Sequence, residues 1–215
     1  VAVGKGKLML DKLNIVIPMK APSRAKQRLM GVLNISQREA LALSLYRQTL
    51  RFFAQRYPQV NCLVVTNSLK IADIASSFGA SPLIERQAKG LNAAIELATH
   101  WSLKLGYQFQ MVVPADIAKL NCCEIDALFQ AVQAGNQVVI ARAKDLGTNA
   151  LITTPPNAIE FQYGSQSALA HVQQAHINGL KVEVLDLRDL SQDIDLPKDL
   201  IKAFPDYPNK EYCYE

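Results

Sequence analysis

An α/β domain with a mostly parallel central sheet flanked by helices is the fold class this sequence predicts, on three observations. Short apolar runs alternate along the chain with stretches whose apolar residues recur at helical spacing. The run 109–113 is apolar and β-branched enough for an interior strand covered on both faces. That run stops at Pro114, which cannot donate to a ladder, and delivers Asp116 just past the strand's carboxyl end. Open α/β sheets place their ligands there. For an isolated Pro-x-Asp, a simple turn cap is an equal reading, so the rest of the chain has to decide.

The first strand is expected over 13–17, closed by Pro18. A loop follows with four cations in nine residues, Lys20 to Arg28, among them Arg24 and Lys26. Directly after a first strand, such a loop is suited to cradle phosphates, Lys as a point charge and Arg as a bidentate fork. The competing reading is a solvated, salt-screened charge cluster. Neither a P-loop nor a Gly-x-Gly-x-x-Gly turn is present.

Ser36-x-x-Glu39 predicts a capping box opening a long amphipathic helix that ends before Pro58. A strand over 62–66 and a helix over 68–78 follow, with Gly79 placed to stop the helix. A short strand is expected at 82–85. The polar loop 87–92 leads into a helix over 92–105. Gly90 allows close backbone approach, and Asn92 offers the donor and acceptor that base recognition needs, or serves as an N-terminal helix residue. His100 and Trp101 lie inside this helix, where a lone histidine is more often structural than catalytic, so His100 is assigned no role.

After Asp116, Asn121-x-x-Glu124 starts a helix that ends at Gly135. Residues 137–142 form a strand, 144–149 a polar turn, and 150–154 a further strand before Pro155-Pro156. Tyr163-Gly164-Ser165-Gln166-Ser167 leads into a helix ending near Gly179. A glycine and two serines at that point suit either an anion, bound through free N–H groups and hydroxyls, or ordinary capping by Ser165. The last strand is expected at 181–187, and a short helix starts at Pro197 after Asp193-Ile194-Asp195.

The 215 residues suit a single domain over 13–203, with a leader at 1–12 and a loosely packed tail at 204–215. The composition is that of a soluble globular protein, 49% hydrophobic and 20% charged. No apolar run approaches a membrane span and no signal peptide is visible. Cys62, Cys122, Cys123 and Cys213 show neither metal-ligand spacing nor a disulfide framework, so a reducing cytoplasm is the expected location. A net charge of +4 fits a small anionic substrate and makes no case for nucleic acid. A homodimer stays open.

Several motifs occur together in one order. They are Ile17-Pro18-Met19-Lys20 with Ala25-Lys26-x-Arg28-Leu29, Gly90-Leu91-Asn92-Ala93-Ala94, Pro114-Ala115-Asp116 and Gly147-Thr148-Asn149-Ala150-Leu151. Tyr163-Gly164-x-x-Ser167-x-x-x-His171 and Asp193-x-Asp195-x-Pro-x-Asp-Leu complete the set. With these the chain resembles the CofC/FbiD guanylyltransferases of coenzyme F420 biosynthesis over nearly its whole length. The resemblance implies a Rossmann-like, GT-A-type nucleotidyltransferase fold. It also implies transfer of GMP from GTP to 2-phospho-L-lactate, phosphoenolpyruvate or 3-phospho-D-glycerate, with release of pyrophosphate. The product would pass to a downstream transferase of the same pathway.

By the same resemblance, Lys20, Lys26 and Arg28 hold the triphosphate, and Gly90 and Asn92 also bind the nucleotide. Thr148, Gly164 and Ser167 line the acceptor pocket. Asp116 and Asp195 hold Mg²⁺, with Asp193 as the alternative ligand. Asp116, Asp195, Lys20 and Lys26 form the catalytic set. Two departures from the family pattern leave the acceptor open: Ile117-Ala118-Lys119-Leu120 follows the Pro-Ala-Asp, and the anion loop reads Gly164-Ser165-Gln166-Ser167-Ala168. A molybdenum-cofactor-type nucleotidyltransferase would keep the carboxylates and basic loop but leaves the Gly-Thr-Asn-Ala-Leu block unexplained. A sugar transferase would want Asp-x-Asp where Ala118 stands. A non-catalytic nucleotide-binding protein of the same fold is the rival from another class.

Overall fold

The computed structural model describes residues 10–207. Seven strands form one sheet in the order β3-β2-β1-β4-β6-β5-β7. They are β1 (Leu13–Pro18), β2 (Asn61–Thr66), β3 (Ser81–Ile84), β4 (Phe109–Val112), β5 (Val138–Arg142), β6 (Thr148–Thr153) and β7 (Val182–Leu185). Parallel pairing joins β1 to β2 and β4, β2 to β3, and β5 to β7. The strand β6 pairs antiparallel with both β4 and β5. The order reverses between β1 and β4, which creates the crevice where α/β sheets bind ligands.

Period-two alternation sorts the strand residues onto two buried faces. Leu13, Ile15 and Ile17 of β1, with Met111 of β4, pack under helices α1 (Ile35–Arg56), α2 (Leu69–Ser77) and α4 (Cys122–Gln133). Val16 and Val112 face α3 (Leu91–Lys104) and α5 (Ser167–Ile177) on the other side. A third cluster joins Leu29, Leu41 and Leu45 to Ile194, Leu200 and Phe204, the last two belonging to or following α6 (Pro197–Ala203).

The structure moves the start of α1 and gives a different role to a residue in the first turn of α4. The cap of α1 is Asn34, not Ser36: Asn34 accepts from the Gln37 N–H at 2.9 Å and Gln37 returns the bond to the Asn34 N–H. Both sequences fit the motif, and Asn at the cap position is as favourable as Ser. Asn121 caps α4 as expected, but Glu124 does not complete a box. Its carboxylate instead accepts from the N–H groups of Asp189 and Leu190 at 2.9 and 2.8 Å. The expected loose tail begins with Phe204 buried and the Tyr207 hydroxyl donating to the Gln37 carbonyl. The leader residues 1–9 and tail residues 208–215 lie outside the described part of the chain.

Asn14 and Gln110, inside strands read as apolar, are fully buried. Asn14 donates to Ser102 and accepts from Asn61, while Gln110 accepts from Ser102 and donates to Thr99. Every polar group named in this network has a partner, which is the condition for tolerating it in a core.

Candidate active site

Across the carboxyl ends of β1 and β4 opens a cavity of about 380 Å³. Its walls include Lys20, Lys26, Gly90, Asp116, Thr148, Asn149, Asp193 and Asp195. Three local features bring these residues together.

The first is the basic loop. Lys26 adopts a left-handed backbone (φ 53°), uncommon for a residue with a side chain. The loop is tied to α1 by Arg38, whose guanidinium donates to the Ala25 carbonyl at 3.2 Å. Lys26 Nζ lies 2.6 Å from Asp116 Oδ2 and 3.8 Å from Asp195 Oδ1, and it also donates to the Ile194 carbonyl. With its side chain only 4% exposed, Lys26 is a buried counter-charge rather than a surface cation. Arg28, 68% exposed, reaches Asp195 at 3.0 Å.

The second feature is a short antiparallel bridge that the elements of the sheet do not contain. Ile117 pairs with Asp193, the Ile194 N–H donates to the Asp116 carbonyl, and the Ala118 N–H donates to the Gln192 carbonyl. This zipper sets Asp193 and Asp195 beside Asp116 from 77 or more residues away in sequence. Asp193 is half-buried, and its carboxyl is raised above the usual range by burial and by the Asp116 charge. Glu124 fixes the preceding turn, so α4 positions the zipper's second strand.

The third feature is a β-bulge at the start of β6. Ala141 pairs with Ala150, but Arg142 pairs with Thr148, so Asn149 is the extra residue. The bulge re-aims consecutive side chains. Asn149 turns to the Leu190 carbonyl (2.8 Å) and Asp193 Oδ1 (3.4 Å), while Thr148 turns toward α5. Because β6 runs antiparallel, its first residues lie beside the carboxyl ends of β4 and β5. The polar turn expected at 144–149 is therefore shorter, and Thr148 and Asn149 are already strand. Gly147 precedes them with its N–H on Asp145 Oδ1, where a Cβ would stand 2.8 Å from that oxygen.

The other expected site residues divide. Lys20 and Gly90 line the cavity; Gly90 heads α3 with φ 107°, a conformation that favours glycine. Asn92 differs from the base-reading expectation. Its Oδ1 accepts from the Tyr163 N–H at 2.8 Å and its Nδ2 donates to the Tyr163 carbonyl, so the amide is a splice between α3 and the loop before α5. Gly164 is exposed with φ 151°. Ser167 is 1% exposed and donates to Thr148 Oγ at 3.0 Å instead of facing the cavity. Ser165 makes no cap, since Gln166 occupies that position.

Glu85 and Tyr163 line the cavity although the sequence reading gave neither a role. Glu85, just beyond β3, has its carboxyl raised by burial, an effect the Lys20 charge partly offsets. Tyr163 lines the cavity and its buried hydroxyl has no hydrogen-bond partner among the described residues. Only the position of Glu85 at a strand's carboxyl end could have signalled the first.

The arrangement can bind and neutralise an anion chain. Among the described residues, no three His, Cys, Asp or Glu side chains form a protein-only metal cage. Asp116 and Asp195 nevertheless converge on one cationic centre, the Lys26 ammonium. Two carboxylates leaving the remaining positions to phosphate oxygens and water is a donor set that suits Mg²⁺.

The family described as guanylyl transferase CofC-like matches residues 13–211. The chain belongs to this family. Within its range of relatives, the CofC-like chain is 48% identical over 189 residues to a 3-phospho-D-glycerate guanylyltransferase from Colwellia psychrerythraea, covering 88% of this chain and 90% of that protein. It is 32% identical over 185 residues to a phosphoenolpyruvate guanylyltransferase from Sphaerobacter thermophilus, covering 86% and 89%. Its fold is similar to that of a protein described as a nucleotide-diphospho-sugar transferase from Desulfovibrio desulfuricans G20. That match has a TM-score of 0.70 at 15% identity, over 93% of this chain and 89% of the other. The α/β nucleotidyltransferase fold implied by the motifs is thus the fold observed, and no described helix is long and apolar enough to cross a membrane.

Proposed function

We propose that this CofC-like protein transfers GMP from GTP to 3-phospho-D-glycerate and releases pyrophosphate. The observation that carries the reading is the convergence of Lys26, Asp116 and Asp195 in a cavity that Thr148 also lines, in a chain of this family. The 48% identical relative supports 3-phospho-D-glycerate over phosphoenolpyruvate and 2-phospho-L-lactate as acceptor.

An oxygen of the acceptor's phosphate attacks the α-phosphorus of GTP. A new P–O bond forms, the bond from the α-phosphorus to the bridging oxygen breaks, and pyrophosphate departs with that electron pair. The acceptor phosphate is largely ionised at neutral pH, so no general base is needed. The obstacle is repulsion between two anions, which positioned cations reduce. Lys20 on the cavity wall, and Arg28 reaching Asp195 from outside it, would meet the phosphates. Lys26 supplies a buried positive charge beside the carboxylates. Asp116 and Asp195, with Asp193 adjacent, would hold Mg²⁺. When bound, the ion would neutralise developing charge on the α-phosphate and leaving group. Gly90 lets the nucleotide approach the backbone at the start of α3. A cytoplasmic role in coenzyme F420 assembly, with the product handed to a transferase, is part of the same reading.

The test is pyrophosphate release with GTP, Mg²⁺ and each of the three acids in turn. The highest kcat/KM is expected with 3-phospho-D-glycerate. GTP binding without pyrophosphate release on any acid would instead make this a nucleotide-binding protein without catalysis.

A further inference from the structure

His171 lies on α5 with no exposed surface and plays no part in the chemistry above. Its ring is held from two sides. Nε2 stands 3.0 Å from the Gln162 backbone nitrogen, whose N–H can only donate, so Nε2 is the acceptor. The ring proton of the neutral imidazole must then sit on Nδ1, which lies 3.1 Å from Thr148 Oγ. Burial lowers the imidazole pKa from its ordinary value to about 4, so the neutral ring is the form present at neutral pH.

Ser167 completes the arrangement. Its hydroxyl donates to the same Thr148 oxygen at 3.0 Å. The opposite direction would leave the buried Ser167 proton without an acceptor among the described residues. Thr148 Oγ therefore receives two hydrogen bonds, one from His171 and one from Ser167, and a hydroxyl oxygen has two lone pairs. Its own proton has no acceptor among the described residues, and Thr148 lines the cavity. Tyr163 also lines the cavity, and its ring packs edge-on against His171 at 4.9 Å. At Thr148 this wall has a donor and awaits an acceptor of a hydrogen bond.

We propose that His171 is a positioning residue which, through Thr148, holds one hydroxyl proton toward the cavity as a donor to an anionic oxygen of the acceptor substrate. The inference rests on the reading of this cavity as a phosphorylated-acid site. Ser167 acts on the ligand through Thr148 by the same geometry, not by touching it.

Two measurements on the full chain test this. Long-range ¹H–¹⁵N NMR reads the His171 tautomer directly. The Nδ1–H form is expected at neutral pH, with ring shifts on adding 3-phospho-D-glycerate and GDP that disappear in Thr148→Val. An Nε2–H tautomer, or no shift in the wild type, overturns the proposal without reference to turnover. Lack of pyrophosphate release by wild-type protein counts against the proposed function and leaves this readout intact.

Kinetics provides the second measurement. His171→Phe should raise the acceptor KM about tenfold, the scale of one hydrogen bond to a charged group, while GTP KM stays within about twofold. His171→Asn, whose amide can place an N–H near the Nδ1 position, should recover most of that loss. In a Thr148→Val background, His171→Phe should add nothing further. An equal effect in both backgrounds overturns the relay. If His171→Phe does not fold, an Asn variant with acceptor KM raised as far as in Thr148→Val overturns it equally.

Discussion

Lys26 and Asp116 show how one pair can serve binding and stability together. A buried ammonium needs its counter-charges, because an unpaired charge in a low-dielectric site is expensive. A loop cation in water would be screened by salt, whereas this one is sheltered from it. Asp116→Asn should therefore do two things. Turnover is expected to fall at least about a hundredfold, on the order of 2.7 kcal/mol of transition-state stabilisation. Folding stability should also drop by about 1–3 kcal/mol, since Lys26 keeps a hydrogen-bond partner but loses a counter-charge. Steady-state kinetics and urea unfolding of the same preparation check both. Near-normal turnover would remove Asp116 from the metal and phosphate machinery.

At the scale of elements, helices and turns aim the site more than they contribute atoms to it. The capping box at Asn34 starts α1 in the register that puts Arg38 under the basic loop and Leu41 and Leu45 into the third cluster. Asn34→Ala removes one half of that box and should cost about 1 kcal/mol, or roughly 2–4 °C in Tm for a chain of this size. Ser36→Ala should leave Tm unchanged, since the structure gives Ser36 no capping role. A larger effect at Ser36 than at Asn34 would mean that the helix starts where the sequence motif alone suggested. Glu124 and the bulge at Asn149 act in the same way: one fixes the turn ahead of Asp193, the other sets which face of the sheet Thr148 and Asn149 each serve.

Over the whole molecule, the carboxylates of the site depend on the packing of a distant segment. Asp193 and Asp195 belong to an irregular stretch anchored by Ile194, Leu200 and Phe204 in the cluster under α1. Leu200 is 3% exposed, and Leu200→Ala should destabilise the protein by about 2–5 kcal/mol. Loosened packing should also let Asp195 drift from Asp116. At a temperature where the variant is still folded by circular dichroism, its apparent affinity for Mg²⁺ in the pyrophosphate assay is expected to fall several-fold. Unchanged Mg²⁺ dependence would show that the short Asp116–Asp193 zipper holds the geometry unaided.

The sequence by itself determined the layered α/β class, nearly every strand and helix, and the residue types of the phosphate site. These follow from local periodicity, from proline and glycine at element ends, and from clustered charge, all of which are written in neighbouring residues. It also carried the family, because the motifs of that family stand in order along the chain. Only the tertiary structure decided which groups meet. The antiparallel course of β6 brings Thr148 to the cavity that Asp116 lines, a relation between strands that no local pattern encodes. The burial of Lys26, the pairing of Asn92 with the backbone of Tyr163, and the enclosure of Ser167 and His171 behind Thr148 arise from contacts across 19 to 168 residues, apart from the nearer bond of His171 to Gln162. A side chain's hydrogen-bonding capacity is a property of its sequence position. Whether that capacity faces substrate or is satisfied within the protein is a property of the fold.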